Sequence, residues 1–333
     1  MKFSQIYQII SAHIKAGDTK TTFAVLGSPG CGKSALASAL GADPEHGFEQ
    51  VFDLNFSLMD IPDVAGLYYP GDGESLVFKA NPQLLKLREG KNLLVIDEAS
   101  DASVLMQNLA RRIFWTREIN GIKLSDQTHV VLLGNRVQDK SGANRFSGKV
   151  KNAVSTFVLE STLDDWITWA VGADIDPMVR AFLRFKPALL DKYDPDVDAS
   201  PTPRQWELVS RVPASLPADL YAADVAAKVG DAAAAEYMAF RKMASQLVQP
   251  DEVLADPKGV AIPEELSSLY AIVESVAQHT TVENVEAFAQ FVGRLPPAFQ
   301  ALYWTTAGKK CKAVLATAPF QQWAASNMNV IFG

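Results

Sequence analysis

A short segment near the start of the chain combines glycines, a lysine and a hydroxyl in the pattern G-x-x-x-x-G-K followed by Ser or Thr. It runs from Gly27 to Ser34 and follows the apolar stretch Thr22 to Leu26, which predicts a β-strand. Its glycines allow backbone N–H groups to converge on phosphate oxygens, and Lys33 supplies a cation for the β and γ phosphates. The hydroxyl of Ser34 is a suitable Mg²⁺ ligand. A turn that contains glycines for steric reasons alone needs neither the lysine nor the hydroxyl, so the segment predicts a phosphate-binding loop.

The predicted ligand of this loop is ATP with Mg²⁺. A helix that begins near Lys33 would point the positive end of its dipole at the same phosphates. GTP is disfavoured because the chain contains no Asn-Lys-x-Asp motif for guanine. The residues predicted to bind the nucleotide are Gly27, Ser28, Pro29, Gly30, Cys31, Gly32, Lys33, Ser34 and Ala35.

Two adjacent carboxylates follow a second apolar stretch. Asn92 to Ile96 suits a strand that is buried on both faces, and Asp97 and Glu98 come directly after it. Ligands of open α/β sheets bind at the carboxyl ends of the strands, so these carboxylates are predicted beside the phosphate loop. Asp97 would hold Mg²⁺, and Glu98 would orient and deprotonate the attacking water. Asp-Glu pairs also cap helices before segments such as Ala99 to Asp101, but the phosphate loop favours the catalytic interpretation.

A polar residue follows a third apolar stretch, His129 to Leu133. Asn135, within Gly134-Asn135-Arg136, is placed to contact the γ phosphate or the attacking water. An asparagine also suits a loop as a turn residue, and in isolation the pattern favours that alternative.

The order of predicted elements indicates an α/β fold with a parallel sheet. A helix from Phe3 to Ile14, with Ser4 as its N-cap and an apolar face for the core, precedes the first strand. Two hairpin inserts are predicted, near 62–83 and near 117–128, and the second contains the turn signal Asn120-Gly121. The fold class is therefore a P-loop parallel-sheet core with helices on both faces, spanning 1–160, followed by an all-α lid and C-terminal region over 161–333.

The second half of the chain is predicted to be helical, with proline-bearing linkers at 195–203 and 250–263. Whether the residues after Pro263 belong to the lid or form a separate docking element is open. The predicted helices are Leu163–Val171, Pro177–Leu190, Arg204–Val212, an alanine-rich stretch over Ala218–Val248, and Ser267–Phe291.

Composition restricts the class of partner. The 333 residues carry a net charge of −7, which gives no general attraction to nucleic acid or to acidic membranes. The chain has two cysteines, so a structural disulfide is not expected. A reducing compartment is predicted instead. No apolar run approaches the ~18 residues of a membrane span, and a cytoplasmic location is predicted. Four scattered histidines and two cysteines outside any zinc spacing argue against a metalloenzyme.

The order of these motifs resembles that of AAA+ ATPases of the MoxR type, particularly the branch of bacteria and their phages. The resemblance covers most of the chain. Besides the phosphate loop and Asp97-Glu98, its matching parts are the insert 63–82, the hairpin 117–124, Gly134-Asn135-Arg136 as sensor 1, Leu163 to Trp166 with Trp169 at the core-to-lid junction, and Ser200 to Arg204 as sensor 2.

The resemblance implies a homo-oligomeric ring, commonly a hexamer, in which ATP sits between subunits and hydrolysis moves loops that act on a client protein. It also implies a partner with a von Willebrand A-like domain. Asn135 would sense the nucleotide, and Arg204 would reach the γ phosphate from the lid. Arg204 alternatively is a surface arginine after a proline turn.

The chain departs from the family where an Asn-Arg pair supplies the arginine finger to the neighbouring subunit. Ala153 aligns with that arginine. Either another cation substitutes, with Arg145, Lys149 and Lys151 nearest and Arg136 less favoured, or hydrolysis is weak. Because Asn144-Arg145 offers the same pair slightly earlier, Arg145 is the predicted finger. The alternative for Arg145 is a pairing with a surface carboxylate.

Three classes of function follow. A remodelling ATPase that acts on a protein partner is favoured by the two hairpins and the acidic balance. A nucleotide-gated scaffold that scarcely hydrolyses ATP is indicated by Ala153. A nucleic-acid motor is the least favoured, because no basic domain or aromatic and basic stacking surface is evident. In the first insert, Tyr68 and Tyr69 suit either a client-gripping loop or packing within the hairpin, and the sequence favours packing.

Overall fold

The structure is a computed structural model that describes residues 1–140 and 145–327. The chain divides into two compact units. The first holds 1–161 together with 193–196, and the second holds 162–192 and the chain from 197 onward.

The first unit contains all nine strands of the described residues. They are β1 (Phe23–Gly27), β2 (Gln50–Asn55), β3 (Leu67–Pro70), β4 (Leu76–Lys79), β5 (Asn92–Asp97), β6 (Glu118–Ile119), β7 (Ile122–Lys123), β8 (Thr128–Asn135) and β9 (Ser155–Val158). Five of them form one sheet in the order β2-β5-β8-β1-β9, and every neighbouring pair in it is parallel. The carboxyl ends of β1, β5 and β8 therefore lie along one edge of the sheet.

Helices cover both faces of this sheet. They are α1 (Phe3–Lys15), α2 (Lys33–Ala42), α3 (Ile61–Ala65), α4 (Pro82–Lys86), α5 (Val104–Thr116) and α6 (Gly148–Lys151). On one face Val25 packs in a cluster with Ile10 of α1 and Leu36 of α2. On the other face Leu94 packs in a cluster with Ile113 of α5. Successive strand residues point to opposite faces, and both sets are buried, as a parallel sheet between helices requires.

Both predicted hairpins are present. Strands β3 and β4 pair antiparallel within the first insert, and β6 and β7 pair within the second. Asn120 and Gly121 connect β6 to β7 with φ values of 48° and 81°. Two successive positive φ values are what a tight two-residue hairpin turn needs, so the Asn-Gly signal is confirmed.

The second unit is helical. Its helices are α7 (Leu163–Gly172), α8 (Pro177–Phe185), α9 (Pro203–Ser210), α10 (Ala218–Val229), α11 (Asp231–Ala244), α12 (Pro250–Ala255), α13 (Leu266–Gln278), α14 (Val285–Val292), α15 (Pro297–Lys310) and α16 (Ala318–Ser326). Together with the parallel core of the first unit, they confirm the predicted fold class. No helix within 1–140 and 145–327 has both the length and the apolar character that a membrane crossing needs.

Helix α13 connects two buried clusters of the second unit. Its Ala271 packs with residues of α7 to α11, while Ile272 and Val276 pack with residues of α12 to α15. The C-terminal helices thus share a packed interior with the helices before them.

Several predicted helix boundaries are wrong for identifiable reasons. The stretch 218–248 is two helices, because Gly230 adopts φ 78° between them. The stretch 267–291 is also two helices, separated by residues 279–284. Helix α8 stops at Phe185, since Pro187 disfavours helical geometry at the residue before it, and Pro187 begins a separate 3₁₀ turn. The predicted linker at 250 instead begins helix α12, with Pro250 in its first turn.

The predicted cap of the first helix is also wrong. Ser4 lies inside α1, and the N-cap is Lys2. The apolar face of α1 enters the core as predicted, because Ile6, Ile10 and Ile14 are buried.

Candidate nucleotide site

The predicted phosphate loop connects the end of β1 to the start of α2. Gly30 and Gly32 have φ values of 77° and 106°, which side-chain-bearing residues rarely adopt. A Cβ atom at Gly27 would lie 2.5 Å from Sγ of Cys31 and 3.2 Å from the carbonyl oxygen of Leu159. The three glycines therefore each meet a local requirement of this loop, through backbone conformation at two positions and through close packing at the third.

The side chain of Lys33 is buried and turned back into the loop. Its Nζ donates hydrogen bonds to the carbonyl oxygens of Gly27 at 3.1 Å and Ser28 at 3.0 Å, and to Oδ1 of Asn135 at 2.8 Å. An ammonium group with three oxygen partners is satisfied without an anion. The three acceptors show where a phosphate oxygen would have to compete for this cation.

Ser34 and Asp97 form the candidate Mg²⁺ site. Ser34 is the second residue of α2 and Asp97 the last of β5, and the Ser34 hydroxyl donates to Oδ2 of Asp97 at 3.2 Å. A hydroxyl and one carboxylate suit Mg²⁺, which takes few protein ligands beside water and phosphate oxygens. Across the residues that the structure describes, no group of three or more His, Cys, Asp or Glu side chains gathers to hold a metal.

Glu98 lies in a tight turn directly after β5. Its φ of 50° is unusual for a residue with a side chain. The backbone N–H of Asp101 donates to the carbonyl oxygen of Glu98 at 3.0 Å, which closes the turn. A hydrogen bond with Asp101, partial burial and the negative charges of Asp101 and Asp97 raise the pKa of Glu98 to about 7, against the opposing charge of Lys33. A carboxylate with a pKa near neutrality suits a general base.

Asn135 joins the cation to the candidate base. It ends β8 and is buried, with 7% of its surface exposed. Besides accepting from Lys33, its Nδ2 donates to Oε2 of Glu98 at 3.0 Å and to Oδ2 of Asp101 at 2.8 Å. Its backbone N–H donates to Oγ of Ser100 at 2.7 Å. The side chain thus contacts both groups that the sequence assigns to phosphate binding and water activation.

Sequence reasoning assigned no site role to Ser100 or Asp101. In the sequence, both residues stand out only as part of the segment Ala99 to Asp101, which Asp97 and Glu98 could cap if it were helical. No signal in the sequence identifies them, because the turn that brings Glu98 and Asp101 to the same amide depends on the positive φ of Glu98.

The cations near Ala153 have different environments. Arg136 forms a two-bond ion pair with Asp139, at 2.9 Å from Nε and 2.8 Å from Nη2. Arg145 is exposed, as are Lys149 and Lys151 on α6, while Ala153 packs against the core. Asn144 lies outside the described residues. The assignment of Arg145 as an arginine finger remains a prediction.

The predicted lid residues lie in the second unit. Arg204 is exposed and is the second residue of α9, after Thr202, whose side chain caps that helix. Trp166 is buried in the interior of this unit, whereas Trp169 is 41% exposed. The contact of Arg204 with the γ phosphate remains a prediction.

The tyrosines of the first hairpin pack within it. The ring centroid of Tyr68 lies 5.1 Å from that of Phe78, and Nζ of Lys79 lies 5.2 Å from the ring centroid of Tyr69. Both tyrosines nevertheless keep much of their surface in solvent, at 60% and 45% exposed.

Comparisons with known proteins give distant structural similarities. No protein-family model matches the chain, and no curated protein matches it. The Thermotoga maritima RuvB Holliday junction branch migration motor is 14% identical, with a TM-score of 0.40 over 82% of this chain and 85% of that one. NtrX from Brucella abortus is 12% identical, with a TM-score of 0.35 over 96% of this chain and 67% of that one.

A third similar structure is the closed state of Hsp104 with ATPγS and FITC casein. It is 14% identical, with a TM-score of 0.36 over 63% of this chain. This chain spans 38% of the length of that Hsp104 chain.

Proposed function

We propose that this chain is a P-loop ATPase of the AAA+ group that binds ATP with Mg²⁺ and hydrolyses it. The observation that carries the proposal is the position of Asn135, which contacts Lys33 on one side and Glu98 on the other. Lys33 as the proposed cation for phosphate and Glu98 as the proposed base thus contact one amide at the carboxyl edge of a parallel sheet. Ligands of open α/β sheets bind at that edge.

Phosphate binding falls to the loop and to Lys33. The backbone N–H groups of the loop and the N-terminus of α2 supply a positive electrostatic environment. Lys33 would exchange its carbonyl partners, Gly27 and Ser28, for phosphate oxygens. Mg²⁺, when held through Ser34 and Asp97, would neutralise phosphate charge.

Water activation falls to Glu98. A carboxylate with a pKa near 7 accepts a proton readily at neutral pH, and the Asn135 amide donates to this carboxylate and would hold it toward the attacking water. Phosphoryl transfer needs chiefly positioning and charge stabilisation, so a base, a cation and a metal site are the parts required of this unit.

We further propose a MoxR-type remodelling role in a homo-oligomeric ring, such as a hexamer, in the cytoplasm. The order of motifs supports this assignment, with 1–160 as the catalytic core and 161–333 as lid and C-terminal region. Arg204 would contact the γ phosphate from the lid, and Arg145 would act as the finger toward a neighbouring subunit. The exposed hairpin tyrosines and the acidic net charge favour a protein client over nucleic acid. The resemblance to the MoxR type implies a partner with a von Willebrand A-like domain.

The second candidate function is a nucleotide-gated scaffold. The observation in its favour is Ala153, which stands where the family carries the finger arginine and packs against the core. Loss of an arginine finger costs several orders of magnitude in rate, so a chain without a substitute would bind ATP and scarcely hydrolyse it.

One experiment separates these candidates. ATP turnover is measured against protein concentration, with Lys33→Ala as the blank and equilibrium ATP binding measured in parallel. Specific activity that rises with concentration supports sites completed between subunits. ATP binding without turnover at every concentration favours the scaffold. Absence of ATP binding by the unaltered chain overturns both.

A further inference from the structure

Asp101 is a second carboxylate at the amide of Asn135. Its Oδ2 accepts from Nδ2 of Asn135 at 2.8 Å, slightly closer than the 3.0 Å between that nitrogen and Oε2 of Glu98. The Asn135 amide thus has three partners, because Oδ1 accepts from Lys33. Its two N–H donors go to two different carboxylates, and neither the phosphate loop nor the Asp97-Glu98 pair accounts for the second one.

The backbone fixes Asp101 in this place. The turn that begins at Glu98 is closed by hydrogen bonds from the N–H groups of Asp101 at 3.0 Å and Ala102 at 3.2 Å to the Glu98 carbonyl oxygen. Ser100 within this turn accepts the backbone N–H of Asn135 at 2.7 Å. The turn and the end of β8 are therefore joined through the backbone and the side chain of Asn135, and the backbone N–H of Ala99 also donates to the Leu133 carbonyl oxygen at 2.8 Å.

Gly134 permits this close approach. A Cβ atom at Gly134 would lie 2.8 Å from Oγ and 3.0 Å from Cβ of Ser100. Any side chain at 134 would push the turn away from β8 and lengthen the contacts of Asn135. The glycine before the candidate sensor residue thus has a packing role that involves the same turn.

Two acceptors determine the orientation of the amide more strictly than one. Without Asp101, only Lys33 and Glu98 would hold the terminal amide of Asn135, and the last side-chain torsion of asparagine has broad preferences of its own. With Asp101 also bound, both hydrogens of Nδ2 are directed and Oδ1 is held toward Lys33. Asp101 contacts neither the phosphate loop nor Lys33 in these interactions, so its effect on them passes through Asn135.

We propose that Asp101 is a positioning residue, which holds the Asn135 amide so that it hydrogen-bonds with Lys33 and Glu98 at the same time. The inference rests on the proposed ATPase function and extends it to a residue outside the P-loop and the Asp-Glu pair. Asp101 would set the rate of the step that uses the aligned amide. It would leave the initial capture of ATP by the loop largely unchanged.

The test is a double-mutant cycle on Asp101 and Asn135 in the full chain. The variants are Asp101→Ala, Asn135→Ala, both together, and the conservative Asp101→Asn, which keeps an oxygen acceptor. Asp101→Ala is expected to lower kcat on the order of tenfold, the effect of losing one charge-assisted hydrogen bond, with KM changed less than about twofold. Asp101→Asn is expected to recover most of the rate. The double variant is expected to be no slower than Asn135→Ala alone.

Asp219→Ala, an exposed carboxylate in the first turn of α10, is the matched control and should leave kcat unchanged. Two outcomes would overturn the inference: fully additive losses in the cycle, or a kcat of Asp101→Ala equal to that of the wild type. The proposed function would stand in both cases, as long as the wild-type chain hydrolyses ATP. A wild-type chain that binds ATP without turnover overturns the inference and the proposed hydrolysis together, because Asp101 then has no rate to set. A wild-type chain that binds no ATP overturns the proposed function and the inference with it.

Discussion

The hydroxyl of Ser34 donates a 3.2 Å hydrogen bond to Oδ2 of Asp97, which joins the start of α2 to the end of β5. Strand β8 lies between β1 and β5 in the sheet, so this contact spans the width of one strand. The two oxygen ligands proposed for Mg²⁺ are therefore already adjacent in the folded chain. Little rearrangement of the protein is needed to bring them to one cation.

Replacement of Asp97 should weaken the response to Mg²⁺. An amide at this position keeps the shape but loses the charge that attracts the cation. Asp97→Asn is expected to raise the Mg²⁺ concentration for half-maximal ATP turnover at least about tenfold, in line with the loss of a charged contact. Titration of turnover with Mg²⁺ at fixed ATP measures this. Asp219→Asn is the control, and an unchanged Mg²⁺ dependence in Asp97→Asn would remove Asp97 from the metal site.

Activity should fall as the pH drops through about 7. The pKa of Glu98 is raised to about 7 by its hydrogen bond with Asp101, by burial and by neighbouring carboxylates. A general base acts only when deprotonated, so kcat should decline on the acidic side of this value. Glu98→Gln should retain ATP binding and abolish turnover at every pH. Turnover near the wild-type rate in Glu98→Gln would remove Glu98 as the base.

The same pKa has an effect on stability with a definite sign. The folded-state pKa lies above the ordinary value of 4.5, so the folded chain binds more protons than the unfolded chain between about 4.5 and 7. Stability contributed by this group is therefore present at low pH and lost as the pH rises through about 7. Glu98→Gln should melt above the wild type at pH 8, with the difference shrinking toward pH 5. Melting curves at both pH values measure it, and a gain confined to pH 5 would contradict the assignment.

The sequence predicted those parts of the site that local pattern encodes. The strand ends that carry Asp97 and Asn135 follow from short apolar runs, and the Asn120-Gly121 hairpin follows from turn chemistry. The contact of Asp101 with Asn135 depends on a turn with a positive φ at Glu98, which is uncommon for glutamate and has no local signature. The sequence predicts one helical stretch across Gly230, because the alanines around it have high helix propensity and a single glycine lowers the total only slightly.

The inward orientation of Lys33 also lies beyond sequence reasoning. The pattern assigns its ammonium group to phosphate, whereas in the folded chain it bonds to two loop carbonyls and to Asn135. The hydrogen-bond partners of Lys33 depend on the distance between the loop and β8, and this distance is determined by how the strands pack in the sheet.

Substitution of Gly27 should damage the phosphate loop by steric overlap. A methyl group there would meet Sγ of Cys31 at 2.5 Å and the Leu159 carbonyl at 3.2 Å, so the loop or its neighbours must shift. Gly27→Ala is expected to weaken ATP binding by about tenfold or more, as overpacking costs on the order of 1–3 kcal/mol. Gly148→Ala is the matched control, since a Cβ at Gly148 has no heavy atom within 4 Å. Equal ATP affinities of the two variants, measured by titration calorimetry, would contradict the predicted overlap.

Removal of Glu274 should destabilise the helical unit more than any exposed carboxylate does. Its side chain is fully buried in α13, with Oε2 3.1 Å from Nε of Arg180 and Oε1 2.6 Å from Nε of Arg184. Glu274→Gln would remove the nearest counter-charge of two guanidinium groups, and burial already lowers the pKa of Arg180. Breaking a buried ion pair from one side costs about 3–5 kcal/mol in unfolding free energy. Denaturant unfolding followed by helix content measures this loss.

Two further variants make the test of this cluster specific. Glu286→Gln, an exposed position in α14, should change the unfolding free energy by less than about 0.5 kcal/mol. The triple variant Arg180→Met, Arg184→Met and Glu274→Leu removes all three charges together, so it should be more stable than Glu274→Gln alone, because no uncompensated charge stays buried. If the triple variant is instead the less stable of the two, the hydrogen bonds and shape of the cluster outweigh the desolvation of its charges, and the electrostatic explanation fails.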